Sequence, residues 1–293
     1  MVEFDQSLLK KLYIPSKNSH KGQNGKLLII AGSQLFHAAS LWPLTVASRI
    51  VDMVFYCSVS QNNQLVLKAK EEFRNGIVVP RNKLNKYIEE SDCVLIGPGL
   101  PRKKGQEEGD DDTKELTEKL LTSFADKQWV IDGGSLQTIE PALIPKNAIL
   151  TPHVKEFEKL FENELRIMNQ ELSKKRDHNS KFIINDSIVW EMAKKYDCII
   201  VIKGSVDFVC SSSDCIEVRG GNQGLTKGGT GDVLSGLIAS FACKNDPFLA
   251  ACAGSYINKK AAESLYNKMG FYFNASDLAG EIPITMKKLL LDS

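Results

Sequence analysis

Seven short apolar segments constrain the fold of this chain more than any other feature of its sequence. Each is a few residues long, rich in valine and isoleucine, and continuously apolar rather than alternating, which is typical of strands buried on both faces. Several of them end in glycine or proline. They span residues 26–32, 53–59, 75–79, 93–99, 129–134, 148–152 and 198–204.

Segments with helical spacing lie between these strands and after them. Because strand alternates with helix, we expect an α/β fold in which a mostly parallel sheet carries helices on both faces. Residues 207–220 break the rhythm, since two short strands around Ser-Ser-Ser-Asp predict a β-hairpin at one edge of the sheet. The predicted helices span residues 38–50, 64–72, 83–90, 113–126, 155–161, 186–196, 232–244, 247–269 and 276–291.

The length and charge of the chain narrow its class. A chain of 293 residues with neither an internal repeat nor a linker-like segment predicts a single α/β domain over residues 1–293. Two polar stretches, 101–114 and 162–181, predict surface excursions, and the second has the composition of an exposed helix. A net charge of +1, no signal peptide and no apolar stretch long enough to span a bilayer predict a cytoplasmic protein without a nucleic-acid or membrane partner.

Seven cysteines, an odd number with no C-x-x-C spacing, lie mostly within apolar segments. This pattern predicts buried free thiols in a reducing compartment, without a structural zinc site. Cys210 and Cys215 could face each other across the predicted hairpin, but the pattern favours free thiols there over a disulfide.

The segment NQGLTKGGTGDVLSG, residues 222–236, predicts an anion site at the start of a helix. Glycines let a ligand approach the main chain closely, and the first N–H groups of a helix lack internal partners at its positive end. Gly229 to Gly231 would therefore hold a phosphate. Asp232, which the positive helix end should keep ionised, could accept a proton from a hydroxyl beside it, or could only cap the helix. The segment is neither a P-loop nor a G-x-G-x-x-G fingerprint.

Six motifs, taken together and in this order, resemble those of the ADP/ATP-dependent NAD(P)H-hydrate dehydratases of the ribokinase-like superfamily. The resemblance covers about residues 20 to 285, and it implies a ribokinase-like three-layer sandwich. The motifs are HKGQNGKLLIIAGS (20–33), LIGPGL (95–100), VIDGGSL (130–136), LTPHVKEFEKL (150–160), VIKGSVDFV (201–209) and the glycine-rich segment above.

The resemblance implies repair of damaged nicotinamide cofactors. Members of the family use ADP or ATP with Mg²⁺ to remove water from hydrated NADH or NADPH. Phosphorylation of the C6 hydroxyl makes a leaving group, and elimination restores the reduced ring. The resemblance also implies a homo-oligomer, since relatives form tetramers. The epimerase domain that is often fused in front of this one has no counterpart here, so we expect a separate epimerase.

The same resemblance assigns residues to the site. Asp232 would be the base, with Gly229 and Gly231 around the transferred phosphoryl group. The hydrated cofactor would contact Ala39, Gly99, His153 and Asp232. The adenine nucleotide would contact Lys203, Gly204, Ser205, Val206, Asp207, Asn222, Gly224, Lys227, Gly228, Gly229, Thr230 and Gly231. Glu156 would hold Mg²⁺ through water.

Besides Asp232, five of these residues also have a purely structural interpretation. Gly99 could belong to a plain tight turn. His153 could cap a helix, and Glu156 could only favour the first helical turn, which is the interpretation that we prefer for Glu156. Lys203 could extend from a strand end into solvent, and Lys227 could be a solvated loop charge.

Residues 34–60 depart from the family pattern. Ala38 stands where the family has a glycine, and Val51-Asp52-Met53 replaces a Gly-Ala-Gly turn. Each added side chain would destabilise the fold by about 1 kcal/mol or more if the backbone needs a positive φ. This segment contributes to the substrate side of the site, so the departures bear on the acceptor.

Three hypotheses therefore stay open. The first is the dehydratase, the second is a kinase of the same superfamily acting on a vitamin precursor or a sugar, and the third is a non-catalytic nucleotide sensor. The sequence does not distinguish ADP from ATP, or NADH-derived from NADPH-derived substrate.

Overall fold

The computed structural model describes residues 2–73, 75–102, 106–173 and 184–292. Within these ranges ten strands form one sheet in the order β1-β10-β9-β8-β7-β6-β5-β2-β3-β4. The strands are β1 Val2–Glu3, β2 Lys26–Ile30, β3 Met53–Cys57, β4 Ile77–Val78, β5 Cys93–Ile96, β6 Gln128–Ile131, β7 Ile149–Leu150, β8 Ile199–Ile202, β9 Asp207–Cys210 and β10 Cys215–Val218.

The helices flank this sheet. They are α1 Ala38–Ala47, α2 Ser60–Phe73, α3 Leu84–Glu90, α4 Thr113–Ser123, α5 Gly133–Leu136, α6 Val154–Leu160, α7 Glu162–Ser173, α8 Asp186–Lys195, α9 Thr230–Ala242, α10 Pro247–Met269 and α11 Ala275–Leu290. Short 3₁₀ helices lie at Gln6–Lys11, Arg81–Lys83, Pro141–Leu143 and Gln223–Thr226.

The sheet is parallel except at β9, which runs antiparallel to both β8 and β10. All seven predicted apolar segments contain a strand, and the hairpin forms where it was expected. The two-residue strand β1 pairs outside β10, so it flanks the hairpin at that edge. The sequence did not indicate β1, because its side chains are exposed and no apolar run marks it.

Successive residues of the strands point into two separate cores. In β2, Leu27 and Ile29 belong to a core that includes residues of α1, α2, α9, α10 and α11, whereas Leu28 and Ile30 belong to a core that includes residues of α3 to α8. All four side chains are fully buried. The continuous apolar runs are explained by this arrangement, because a strand covered on both faces has no polar side. The expected three-layer α/β fold is confirmed.

Most differences from the predicted elements concern their bounds. Helix α2 begins at Ser60 rather than 64, and α9 begins at Thr230 rather than 232. Residues 133–134, which were predicted to end a strand, are instead the first residues of the short helix α5. The exposed helix expected in 162–181 is α7, but residues 174–181 lie outside the described residues, as do residues 103–105 of the other excursion.

One expectation about the cysteines is wrong. Cys210 and Cys215 lie directly opposite each other in the β9–β10 register and form a disulfide, with Cα atoms 4.0 Å apart. Directly opposed residues of an antiparallel pair have Cβ atoms close enough for their sulfur atoms to form a disulfide. The sequence alone does not give the register that makes these two residues opposite. The free cysteines among the described residues are buried: Cys57, Cys93, Cys198, Cys243 and Cys252.

The departures at residues 34–60 introduce no backbone strain. Among the described non-glycine residues, only Asn147 and Asp197 have a positive φ, so neither Ala38 nor the Val51-Asp52-Met53 turn needs the left-handed region. The Asp52 carboxylate instead accepts hydrogen bonds from the main-chain amides of Gly22 and Asn24, at 2.8 and 3.1 Å. None of the helices in the described part of the chain is long and apolar enough to cross a membrane.

We predict that the packing of α1 on α9 depends on a glycine. A Cβ atom at Gly236 would lie 2.5 Å from the Cα atom of Pro43, so Gly236→Ala must push the two helices apart. We expect it to lower the free energy of unfolding by about 1–3 kcal/mol in urea denaturation.

Gly280→Ala in α11 is the matched control, because nothing lies within 4 Å of the Cβ position there. It should raise the free energy of unfolding by about 0.5–1 kcal/mol through helix propensity. Equal effects of the two substitutions would contradict the packing argument.

Candidate active site

Three polar residues follow the ends of neighbouring parallel strands. Asp132 comes directly after β6, His153 shortly after β7, and Lys203 directly after β8. Because the carboxyl ends of parallel strands lie side by side, these three residues lie close together. His153 also pairs with Lys203 in an isolated β-bridge. The Lys203 Nζ atom lies 3.0 Å from Oδ1 of Asp132, whose side chain is buried.

His153 and Glu156 form a capping box at the start of α6. The Glu156 amide donates to Nδ1 of His153 at 3.2 Å, and the His153 amide donates to Oε2 of Glu156 at 3.0 Å. Gln137 donates to Oε1 of Glu156 at 3.1 Å. The structural interpretations of both residues are therefore observed: His153 is a helix cap, and Glu156 lies in the first turn.

Helix α9 begins behind the glycine-rich segment. Gly229, with φ +90°, is the N-cap residue and places no side chain on the first-turn amides. The Thr230 amide donates to the carbonyl oxygen of Lys227 at 3.3 Å, but the amides of Gly231 and Asp232 have no partner among the described residues. These two amides form a positive mouth open to an anion. The Cβ position of Gly231 lies 3.4 Å from the Lys203 ammonium, so the helix mouth and the strand-end cluster form one site.

Asp232 lies in the first turn of α9, three residues after the cap, so the hypothesis that it is the N-cap residue is wrong. The expectation that it stays ionised is also wrong. Burial, together with the neighbouring carboxylates Asp132 and Glu156, raises the pKa of Asp232 to about 8, although Lys203 opposes the shift. Loss of solvation and repulsion between carboxylates outweigh the helix dipole here.

The same environment shifts the neighbouring groups. Burial raises the pKa of Glu156, with a further contribution from Asp132, and Lys203 only partly offsets it. For Lys203, burial works against the charged form, but the carboxylates of Asp132 and Glu156 outweigh it and raise the pKa. Lys203 is thus held as a cation among three acidic groups.

A cavity of ≈ 700 Å³ opens beside the mouth of α9. Eight of the predicted nucleotide residues line it: Lys203, Gly204, Ser205, Asp207, Asn222, Lys227, Thr230 and Gly231. His153 lines it too, although it was assigned to the hydrated cofactor. Val206, Gly224, Gly228 and Gly229 are not in its lining.

Two of the predicted nucleotide residues that lie off this lining, Gly224 and Gly229, are closely packed against aromatic rings. A Cβ atom on Gly224 would lie 2.4 Å from the Phe273 ring, and one on Gly229 would lie 2.4 Å from the Trp42 ring. Nothing lies within 4 Å of the Cβ position on Gly228. Lys227 is in the lining, but its ammonium donates to the carbonyl oxygen of Phe273 at 2.6 Å and to that of Phe271.

Lys259 of α10 holds the walls of the cavity in place. Its ammonium is 3.1 Å from Oδ1 of Asp207 and donates to the carbonyl oxygens of Gly204 and Ser205, at 3.0 and 3.3 Å. The side chain is buried. A buried charge needs such partners, and in return it fixes the loop that follows β8.

The predicted acceptor residues Ala39 and Gly99 pack against each other and lie outside the lining of the cavity. Gly99 has φ +65°, and a Cβ atom there would lie 2.5 Å from that of Ala39. Ala39 belongs to the first turn of α1, and Trp42, one turn further, packs its ring on Gly229. One helix therefore contacts both the acceptor side and the glycine loop.

Three functional candidates were missed in the sequence. Asp132 lies within the motif VIDGGSL (130–136), and its carboxylate directly after a buried strand is itself a signal of a site. Trp42 lies in residues 34–60, where the family pattern gives no guide to its role. Lys259 gave no signal, because its neighbour Lys260 made the pair resemble an ordinary exposed helix face.

Comparison with known proteins agrees with this geometry. Residues 27–284 match the family model described as NAD(P)H-hydrate dehydratase. The ADP-dependent (S)-NAD(P)H-hydrate dehydratase of Nitrosopumilus maritimus is 31% identical over 95% of this chain and 95% of its own length. Other curated relatives are named bifunctional NAD(P)H-hydrate repair enzymes, and the chain spans about half of their length.

Solved structures support the fold. An ADP/ATP-dependent NAD(P)H-hydrate dehydratase from Bacillus subtilis, co-crystallised with ATP and Mg²⁺, has a TM-score of 0.76 at 22% identity over 98% of both chains. A ribokinase-like superfamily protein from Enterococcus faecalis has a TM-score of 0.73 at 19% identity, covering 99% of this chain and 96% of its own. The expected ribokinase-like fold is thereby confirmed.

We predict that the Asp232 carboxyl titrates near pH 8 in ¹³C NMR of the free protein, because burial and two carboxylates favour its protonated form. Lys203→Met should move the midpoint upward, since the lysine lowers it, and Asp132→Asn should move it downward. Lys287→Met in α11 is the control and should leave it unchanged. A midpoint near the ordinary value of 3.8 would contradict this account.

The sign of the stability effect follows from the raised pKa. The contribution of Asp232 to stability is complete below its unfolded-state pKa near 4 and is lost as the pH rises through about 8. The free energy of unfolding should therefore fall less between about pH 4 and pH 8 in Asp232→Asn than in the wild type.

Proposed function

Because the chain belongs to the NAD(P)H-hydrate dehydratase family, we propose that it is a hydro-lyase that uses ADP or ATP to convert hydrated NADH or NADPH back to the reduced cofactor. The observation that carries the proposal is the position of Asp232. It lies in the first turn of α9, where the open amides meet Lys203 at the edge of the cavity.

The nucleotide occupies the cavity beside α9. Its terminal phosphate lies on the first-turn amides behind Gly229 to Gly231, with Lys203 as the nearest cation. Lys203, Gly204, Ser205 and Asp207 form one wall, which Lys259 holds in place, and Val206 belongs to the same loop. Asn222, Gly224, Lys227, Gly228 and Thr230 belong to the facing segment. Preorganised amides and one buried cation suit a transferring phosphoryl group, because they need no rearrangement during the reaction.

Asp232 accepts the proton of the C6 hydroxyl as that oxygen attacks the terminal phosphorus. The products of this step are a phosphate ester and a nucleotide one phosphate shorter. The C6–O bond then breaks, inorganic phosphate leaves with the bonding electrons, and loss of a proton from C5 forms the ring double bond. A base with a pKa near the working pH combines a usable ionised fraction with a strong pull on the proton.

The acceptor side is formed by Ala39 and Gly99, with His153 at the opposite loop. Because Gly99 is packed against Ala39 and Phe36, the ring of the hydrated cofactor meets a closely packed wall rather than mobile side chains. Such a wall holds the C6 hydroxyl in line with the phosphate and Asp232, which is where most of the acceleration in phosphoryl transfer originates.

Mg²⁺ is expected with the nucleotide, and the chain suits a metal held mainly by phosphate. Among the described residues, no group of three His, Cys, Asp or Glu side chains could hold a metal ion. Mg²⁺ commonly takes one or two protein oxygens, with phosphates and waters as its other ligands. Oε1 of Glu156 accepts one hydrogen bond, from Gln137, so it keeps a lone pair for a metal-bound water. When bound, Mg²⁺ neutralises charge on the phosphates.

The family match favours the dehydratase over the small-molecule kinase, and the intact glycine segment with Asp232 favours either enzyme over a nucleotide sensor. We also propose a cytoplasmic homo-oligomer that works alongside an epimerase. Light scattering of the purified protein tests the assembly, and a single-chain mass would contradict it.

The decisive assay follows recovery of the reduced-nicotinamide absorbance from hydrated NADH with Mg²⁺ and ADP or ATP. We expect activity in the wild type and a loss of about 100- to 10,000-fold in Asp232→Asn, since the base is removed. The Kd for the nucleotide should stay within about threefold, because Asp232 is not part of the lining of the cavity.

Asp277→Asn is the matched control, since Asp277 occupies the same position in the first turn of α11 as Asp232 does in α9. Its activity should equal that of the wild type. Retention of more than a few per cent of activity in Asp232→Asn would overturn the base assignment. A stable phosphorylated product would favour the kinase, and nucleotide binding without turnover the sensor.

A further inference from the structure

Asn258 of α10 has a buried amide that does no visible structural work. Its residue is only 5% exposed, yet its Oδ1 atom has no hydrogen-bond partner among the described residues. Buried polar atoms in native proteins are almost always paired, so each exception calls for an explanation. Asn258 is also part of the lining of the ≈ 700 Å³ cavity beside α9. A missing ligand that enters this cavity would provide the partner.

The neighbouring residue shows the contrast. Lys259, the next residue of α10, uses its ammonium to hold the main chain at Gly204 and Ser205. Asn258 has no comparable contact, although both side chains line the same cavity. The polar group of Asn258 is therefore available to a ligand, whereas Lys259 is occupied by the protein.

The position of Asn258 suits the base of a nucleotide rather than its phosphates. The charged end of the cavity is fixed by Lys203 and by the open amides at the start of α9. The lining also includes Leu225 and Leu234, whose aliphatic side chains can pack on the faces of a flat aromatic ring. A base lying on these residues would turn its polar edge toward a neighbouring side chain.

We propose that Asn258 reads the edge of an adenine base. Its amide oxygen accepts from the 6-amino group, and its amide nitrogen donates to an adjacent ring nitrogen, the pairing that asparagine makes with adenine elsewhere. Hypoxanthine and guanine carry a carbonyl oxygen at position 6, so the amide oxygen would face another acceptor and stay unpaired. The inference rests on the proposed function, because it takes the cavity to be the nucleotide site.

The test is a binding measurement that needs no turnover. Calorimetry should give a Kd for ADP at least about tenfold lower than that for inosine diphosphate in the wild type. Asn258→Leu should bring the two values to within about twofold of each other, mainly by weakening ADP binding. Asn258→Asp keeps an acceptor for the 6-amino group, so it should retain a preference for ADP.

Thr285→Val is the matched control. Thr285 also has a buried oxygen without a partner among the described residues, but it lies in α11 and outside the cavity lining. Removing it should leave both Kd values unchanged. Circular dichroism verifies that each variant is folded, and Asn258→Asp provides the test if Asn258→Leu is not.

Two results would overturn the inference while leaving the proposed function intact. One is equal binding of ADP and inosine diphosphate by the wild type. The other is an equal weakening of both in Asn258→Leu, which would place Asn258 on the ribose. Failure of the wild type to bind either nucleotide would overturn the proposed function as well.

Discussion

The ion pair between Lys203 and Asp132 controls the charge balance of the site. Asp132 follows β6 and Lys203 follows β8, the two parallel strands on either side of β7. The Lys203 Nζ atom and the Asp132 Oδ1 atom are 3.0 Å apart. Around this pair lie Glu156 and Asp232, so one lysine faces three carboxyl groups in a poorly solvated place. Burial, and after it the excess negative charge, favours a proton on Asp232, which is why its pKa rises to about 8 rather than falling. The site therefore contains a base whose charge depends on its neighbours.

The fold places this charged cluster beside an anion site. Asp132, His153 and Lys203 lie at the carboxyl ends of parallel strands. Helix α9 begins beside them, with Gly229 as its N-cap residue. Helix α1 links the acceptor side to the glycine loop through Ala39 and Trp42. The departures from the family pattern within residues 34–60 are accommodated without a positive φ at any non-glycine residue there. Trp42 belongs to this segment, and its ring packs on Gly229, so the segment contacts the glycine loop as well as the acceptor side.

The sequence predicted the features that neighbouring residues determine, and it failed for the features that depend on distant segments. The buried strands were readable because continuous apolar runs such as 26–32 mark strands covered on both faces, and the glycine-rich segment marked the helix mouth. The ionisation of Asp232 was predicted wrongly, because the groups that set it, Asp132 and Glu156, come from distant segments. The Cys210–Cys215 disulfide depended on a strand register that no local pattern fixes. The role of Lys259 depended on which face of a long helix the other elements cover.

The central claim is that the mouth of α9 holds the migrating phosphate while Asp232 faces the acceptor. A crystal structure with Mg²⁺ and a non-hydrolysable ATP analogue tests it most directly. The account predicts the terminal phosphate within hydrogen-bond distance of the first-turn amides of α9, with the Asp232 carboxylate directed toward Ala39 and Gly99. A terminal phosphate bound away from these amides, or an Asp232 side chain turned from the acceptor side, would contradict it.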